Sequence, residues 1–351
     1  MTVNADSVDG IISRGALTIN DNPILNVDAG DDAIQVNTVF TLTNGELNLV
    51  AGGGMEAVLD EETDLSAKGI KAGELIVIED GIVNINAADD AFNSETDFVM
   101  NAGTLTLSAT GKGVHADYNL EINDGVINIL NSDEGLEAGF ITINDGDINI
   151  VSSDDGINIS EPDDIANPSF YYLYIHGGTI VVSAEGDGID SNGSIEMTGG
   201  LVIVNGPTAN DNGALDYDGT FEISGGTLIA TGSAGMAVAP SDTSSQYSLL
   251  INFDEALETG TLIHIQNSAD DDVLTYAPDK IYQSLVLSSA DLVAGETYTV
   301  YTGGSSDGTT TDGLYVDGTY TGGNQVEAFT IESILTQIGE QGGRFGRRGG
   351  G

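Results

Sequence analysis

One phrase recurs along this chain and limits what it can fold into more than any other feature. A small residue is followed by an apolar one, usually just after acids, as in INAADDAFNS at 85–94, ILNSDEGLEA at 129–138 and IVSSDDGINIS at 150–160. The small residues are Gly10, Ala33, Gly69, Ala91, Gly113, Gly135, Gly156, Gly188, Ala214 and Gly235. They step by 21 to 23 residues, apart from insertions of 14, 10 and 4 residues at Gly53–Ser66, around Glu161–Phe170 and near Pro207–Asn210. A fixed period of this length is the mark of a solenoid.

A second ladder shares the register: Gly45, Gly81, Gly103, Gly125, Gly146, Gly178, Gly200 and Gly226, in turn phrases such as NDG, HGG and SGG. Each is followed by an alternating stretch such as VINIL or DINIV, and period-2 alternation rich in Ile, Val and Thr predicts strands. Glycine after Asn or Asp suits a tight turn that needs φ > 0. Short strands inside a 22-residue repeat predict an all-β parallel β-helix of about ten coils, rising roughly 48 Å at the spacing of hydrogen-bonded strands. Its inward stack would be Ile11, Ile34, Ile70, Phe92, Val114, Leu136, Ile157, Ile189, Leu215 and Met236, every one apolar. The leucine-rich solenoid is excluded by the missing Leu/Asn consensus. The period stops near Tyr247, so residues 1–246 are expected to form the solenoid. A β-rich region, 247–338, would then cover its open end, and 339–351 would be a Gly/Arg tail.

Charge narrows the partners. Fifty-six acids against eight Lys and Arg give a net charge of -48 over 351 residues, a field that repels nucleic acid and anionic membranes. With 40% hydrophobic residues a core can still be built, and the absence of cysteine removes disulfides and thiolate chemistry. No apolar run is long enough to span a membrane. The opening MTVNADSVDG does not read as an export signal, so either the chain stays inside the cell or that signal lies outside this sequence.

The phrases ADDAF, SDEGLEA, SSDDGINIS and INDGVINI, with YQSLVLSSADLVAGETYTVYTGG downstream, resemble a bacterial carbohydrate-binding domain family. The resemblance covers nearly the whole chain. It implies a right-handed parallel β-helix that binds calcium and acidic plant polysaccharides such as polygalacturonate, with cellulose a further candidate. It also implies a location outside the cell or at its surface.

The acids themselves point to a cation. Asp31-Asp32, Asp89-Asp90, Asp133-Glu134, Asp154-Asp155 and Asp187 recur at one turn, and Asp190 follows the apolar position in its coil, as Asp216 does in the next. Stacked coils would set such carboxylates roughly 5 Å apart, costing on the order of 3 kcal/mol per like-charge pair at an effective dielectric of about 20. Ca²⁺, with its oxygen ligands, relieves that repulsion, and the pairs at 89/90, 133/134 and 154/155 are the leading candidates. Asp in a turn can instead cap its own backbone, and an acidic surface also suits a saline habitat. The first insertion adds Asp60, Glu61, Glu62 and Asp64 as either a lid or a solvated loop.

Sugar contacts are expected from His115 and Lys112, and from a cluster, Phe170, Tyr171, Tyr172 and Tyr174, that offers rings to sugar faces or packs an insertion. β-Helical polyuronate lyases use a Lys or Arg base, and Lys68 and Lys112 fall in the acidic register. Acidic neighbours, however, raise a lysine's pKa and so disfavour the neutral base. Repetition of the acid pairs also argues against a single catalytic dyad. The expectation is therefore non-catalytic polysaccharide binding. A surface or filament protein joined by calcium, and a calcium-dependent lyase, remain the alternatives.

Overall fold

The computed structural model describes residues 1–57, 65–160 and 171–340. Among them there is no helix, and so none long and apolar enough to cross a membrane. The chain winds as a right-handed parallel β-helix of about nine turns. Each full turn passes along three faces, with one strand on each except where Val114–Ile122 and Leu136–Ile143 run unbroken over the second and third.

The long face stacks ten parallel strands from Thr2–Ala5 to Thr227–Gly232. Alternation sends Leu47 and Leu49, Val83 and Ile85, Leu105 and Leu107 inward, all buried. Each such side chain contributes about 1.5–3 kcal/mol relative to exposure. The chain then turns the acidic corner into a short second face, Ile11–Ser13 to Leu215–Tyr217. A third face runs from Leu17–Ile19 to Phe221–Ile223.

The predicted inward stack pairs residue for residue from Ile11 through Ile34, Ile70, Phe92, Val114, Leu136, Ile157 and Ile189 to Leu215. Met236, expected as the tenth member, is a correction: it lies in no strand and is only partly buried. The segment after Gly232 has left the ladder by then. It lies instead across the end of the second and third faces, where Tyr217 Oη donates to Ala239 O at 2.6 Å and Ser241 N to Phe221 O at 2.8 Å.

Both glycine ladders have a physical cause. The turn glycines from Gly45 to Gly226 all carry φ between 81° and 123°. The corner glycines are small for another reason. A Cβ on Gly135 would lie 2.3 Å from the Gly156 carbonyl oxygen and 2.4 Å from Ile150 of the next coil.

Beyond the solenoid, Tyr282–Ser288 adds antiparallel to the last long-face strand, and Ser248–Leu257 adds to that strand in turn. Leu250 and Val286 face the solenoid core, whereas Leu249, Ile251, Leu285 and Leu287 face a second core. A six-stranded sheet supplies the other half of that core and packs on the outward Ile203 and Ile229 of the solenoid. Tyr276 Oη donates to Asn205 Oδ1 at 2.7 Å, and Lys280 Nζ to Ala184 O at 2.6 Å, fastening this sheet to the solenoid's outer side. The C-terminal region therefore both ends the long face and rides on its exterior.

Candidate functional site

Parallel stacking converts the repeated acids into columns. The residue before each corner glycine or alanine runs Asp9, Asp32, Lys68, Asp90, Lys112, Glu134, Asp155, Asp187, Gly213, each carbonyl from Asp32 onward accepting from the corner amide of the preceding coil. Beside it, in register on the second face, runs Gln35, Lys71, Asn93, His115, Glu137, Asn158, Asp190, Asp216.

The corner aspartates first serve the backbone. One carboxylate oxygen of each accepts the amide N–H of the corner residue in the next coil: Asp32 from Lys68 at 2.8 Å, Asp90 from Lys112 at 2.8 Å, Asp155 from Asp187 at 2.7 Å, Asp187 from Gly213 at 2.5 Å. Asp31 likewise accepts from Ser66 and Ala67 at 2.8 and 2.9 Å. Charged acceptors make such bonds worth about 1.5–3 kcal/mol each.

The second oxygen is turned to other partners, Asn93 Nδ2 at 2.9 Å on Asp90 among them, and in the middle coils the chain supplies a cation. Lys68 Nζ lies 2.7 Å from Asp89 Oδ2 and 2.5 Å from Asp90 Oδ2. Lys112 Nζ lies 2.8 Å from Glu134 and about as far as 3.9 and 4.0 Å from Glu137 and Asp133. His115 bridges Glu137 at 2.8 Å and Asp117 at 3.0 Å. Burial works against the charged form of both lysines and of His115, but the carboxylates outweigh it and hold all three above their ordinary pKa. These lysines are therefore fixed as ammonium ions, the wrong form for abstracting a proton.

Two gatherings lack a lysine salt bridge among the described residues. Carboxylate oxygens of Asp9, Asp31 and Asp32 lie within 4.8 Å of one another, as do those of Asp187, Asp190 and Asp216. Burial raises Asp9 and Asp32 above their ordinary values, and Lys71, acting from a distance, opposes that only in small part. The second group has no such relief. Burial, then Asp187 and Asp216, push Asp190 up to about 7; burial, with Asp154, Asp190 and Asp187 adding to it, pushes Asp155 up to about 7. Next to Asp190 in its column stands Asn158, whose Nδ2 donates to Glu134 at 3.0 Å. The Oδ1 of Asn158 is buried with no hydrogen-bond partner among the described residues. Three carboxylates and an amide oxygen are hard donors that fit Ca²⁺.

The acids singled out from the sequence thus separate. Asp89, Asp90 and Glu134 hold lysines; Asp133 accepts from Ser153 Oγ at 3.3 Å; Asp154 and Asp155 border the lysine-free group of Asp187 and Asp190; Asp31 and Asp32 belong to the first group. Asp9 and Asn158 were not anticipated. Asp9 stands just before Gly10, the same position in the first repeat, so the signal for it was present. Asn158 had no such signal. Asp60, Glu61, Glu62, Asp64 and Phe170 lie outside the described residues.

Among the tyrosines, alternation along Tyr172–Ile175 decides. Tyr172 and Tyr174 point outward with rings stacked 4.3 Å apart, and His176 continues the row at 6.1 Å. Tyr171 is a correction: its side chain is fully buried in the solenoid core and presents no surface to a sugar.

No curated protein and no solved structure matches the chain. A family model described as carbohydrate-binding domain-containing protein matches residues 1–113 and 108–324. With those two matches spanning most of the solenoid and the sheet fastened to it, the chain belongs to the carbohydrate-binding domain-containing family.

Proposed function

We propose that this protein is a non-catalytic polysaccharide-binding module that holds an acidic polysaccharide, such as polygalacturonate, through calcium at its acidic corner, outside the cell or at its surface. Family membership supports sugar binding. The lysine-free group of Asp187, Asp190 and Asp216 beside the unpartnered Asn158 oxygen carries the calcium part. A chain of charge -48 needs a bridging cation to hold a polyanion, and the outward carboxylate oxygens supply one side of that bridge. Tyr172 and Tyr174 offer ring edges and hydroxyls on a neighbouring face.

The test is retention on immobilised pectin with calcium and with EGTA, for the native chain and for Asp187→Asn/Asp190→Asn. Binding that requires calcium and falls at least tenfold in the variant, with both proteins still folded by thermal melt, is the expected result. Equal retention in chelator would sink it.

A second reading is favoured by the N-terminal coil. Thr2–Ala5, Ile11–Ser13 and Leu17–Ile19 each pair on one side only among the described residues, and Val3, Ile11, Leu17 and Ile19 are only partly buried. Open strand edges can recruit another chain. Self-association through this end would appear as a concentration-dependent mass in sedimentation.

A further inference from the structure

Among the described residues of this acidic chain, one surface carries little charge. Outward side chains of the first five long-face strands, Thr2–Ala5 to Thr104–Ala109, enclose a shallow groove of about 390 Å³. Its lining contains a single carboxylate, Asp28, and no cation. The rest is amide, hydroxyl and aliphatic surface.

One wall is a ladder of amides. Asn26, Asn48 and Asn84 are paired in register, and Asn48 Nδ2 donates to Asn26 Oδ1 at 3.0 Å while Asn84 Nδ2 donates to Asn48 Oδ1 at 2.8 Å. A carboxamide has two N–H donors and an oxygen with two lone pairs. The ladder, with Asn48 Nδ2 also donating to Glu46 Oε1 at 2.9 Å, uses both donors of Asn48, one donor of Asn84 and one lone pair each of Asn26 and Asn48, so an acceptor remains at each of these three coils and donors remain on Asn26 and Asn84. The facing wall carries Asn86 and Ser108. It is held in place by the Gly52–Ala57 segment, where Met55 N donates to Asn86 Oδ1 at 2.8 Å and Thr110 Oγ1 donates to Met55 O at 2.9 Å.

Five strands at hydrogen-bonded spacing extend about 19 Å along the solenoid axis. Amide acceptors, with donors left on Asn26 and Asn84, therefore follow one another along a straight trough whose lining holds one carboxylate, Asp28, and no cation. That pattern suits a chain of hydroxyls, which both donate and accept, and it offers no cation to a carboxylate or a phosphate. A glycan that carries no charge requires no bridging ion.

We propose that this groove is a second polysaccharide subsite, distinct from the acidic corner, which takes an extended neutral glycan along the solenoid axis without calcium. It rests on the carbohydrate-binding reading of the chain but not on the calcium part of that reading.

The test is affinity electrophoresis of the full chain in EGTA through gels containing hydroxyethylcellulose, galactomannan or xyloglucan. At least one neutral glycan should retard the native chain. Ser108→Tyr, which fills the trough without touching the amide ladder, and Asn84→Leu, which breaks it, should each weaken retardation at least tenfold with unchanged melting curves. If Asn84→Leu unfolds the protein, Ser108→Tyr alone decides. No retardation in EGTA, or retardation indifferent to Ser108→Tyr, overturns the groove. Calcium-dependent retention on pectin would then still stand as the chain's function, whereas loss of both would take the polysaccharide reading down with it.

Discussion

The ammonium of Lys68 lies 2.5 Å from Oδ2 of Asp90, its neighbour in the next coil of the corner column. Lys112 repeats the arrangement with Glu134 at 2.8 Å. The middle of the acidic corner is thus neutralised by the chain's own cations, and its two ends are not. A parallel stack repeats every side chain's neighbours, so a single lysine settles two coils at once.

Removing that internal cation should therefore create a demand for an external one. In Lys68→Met, Asp89 and Asp90 lose their partner in a place where the Asp90 side chain is only 8% exposed. Breaking such a pair costs about 3 kcal/mol, less where water reaches the carboxylates. The variant should melt lower than the native chain in EGTA and gain more from added calcium. Equal calcium shifts in the two proteins would contradict this.

The pH dependence follows from Asp155 and Asp190, both pushed up to about 7 in the folded chain from an ordinary 3.8. Between those values the folded state binds more protons than the unfolded one, so stability falls as pH rises through that window and levels off above it. His115, held above its ordinary value against burial by Glu137 and Asp117, acts in the same direction: its contribution is lost as pH rises through its folded pKa. Melting temperature in EGTA should drop from pH 5 to pH 8, and Asp190→Asn should flatten the slope. Calcium should stabilise more at pH 8 than at pH 5.

The tyrosines should divide by side of the strand. Tyr171→Ala empties a fully buried position and should cost about 3–5 kcal/mol. Tyr174→Ala removes a partly exposed ring and should cost about 1 kcal/mol or less, while weakening glycan retention. Chemical denaturation together with retention assays separates the two effects.

Glycine at the corner is required by close approach. Gly135→Ala would bring a Cβ to 2.3 Å from the Gly156 carbonyl oxygen, forcing two coils apart, at a cost of about 2–3 kcal/mol. Gly15→Ala, with nothing within 4 Å, is the matched control and should stay within about 0.5 kcal/mol. Urea denaturation of the pair checks it.

The solenoid was legible because its constraints are local and repeated. The corner requires a small residue, the next position must enter the core, and the turn requires φ > 0, so the same phrase returns with each coil. Gly235-Met236 carries that phrase yet forms no coil: two residues cannot report that the backbone after Gly232 has left the ladder. The site was legible only as a column of acids. Which of them hold a lysine depends on where two long side chains come to rest. The orphaned oxygen of Asn158 depends on Glu134 having taken its amide. The packing of the C-terminal sheet on Ile203 and Ile229 was hidden because these partners are remote in sequence. The amide groove was hidden because alternation marks a residue as outward without saying what it bonds.

Alternating charge along the corner has a consequence for how such a chain can change length. The repeats without insertions follow nearly the same backbone course, so gene duplication or unequal exchange could add or excise one of them as far as the backbone is concerned. Losing the unit that carries Lys112, however, would bring Asp90 directly against Glu134, and losing the one that carries Asp90 would bring Lys68 against Lys112. Inheritance of these central repeats is therefore expected to proceed in cation–anion couples, two at a time.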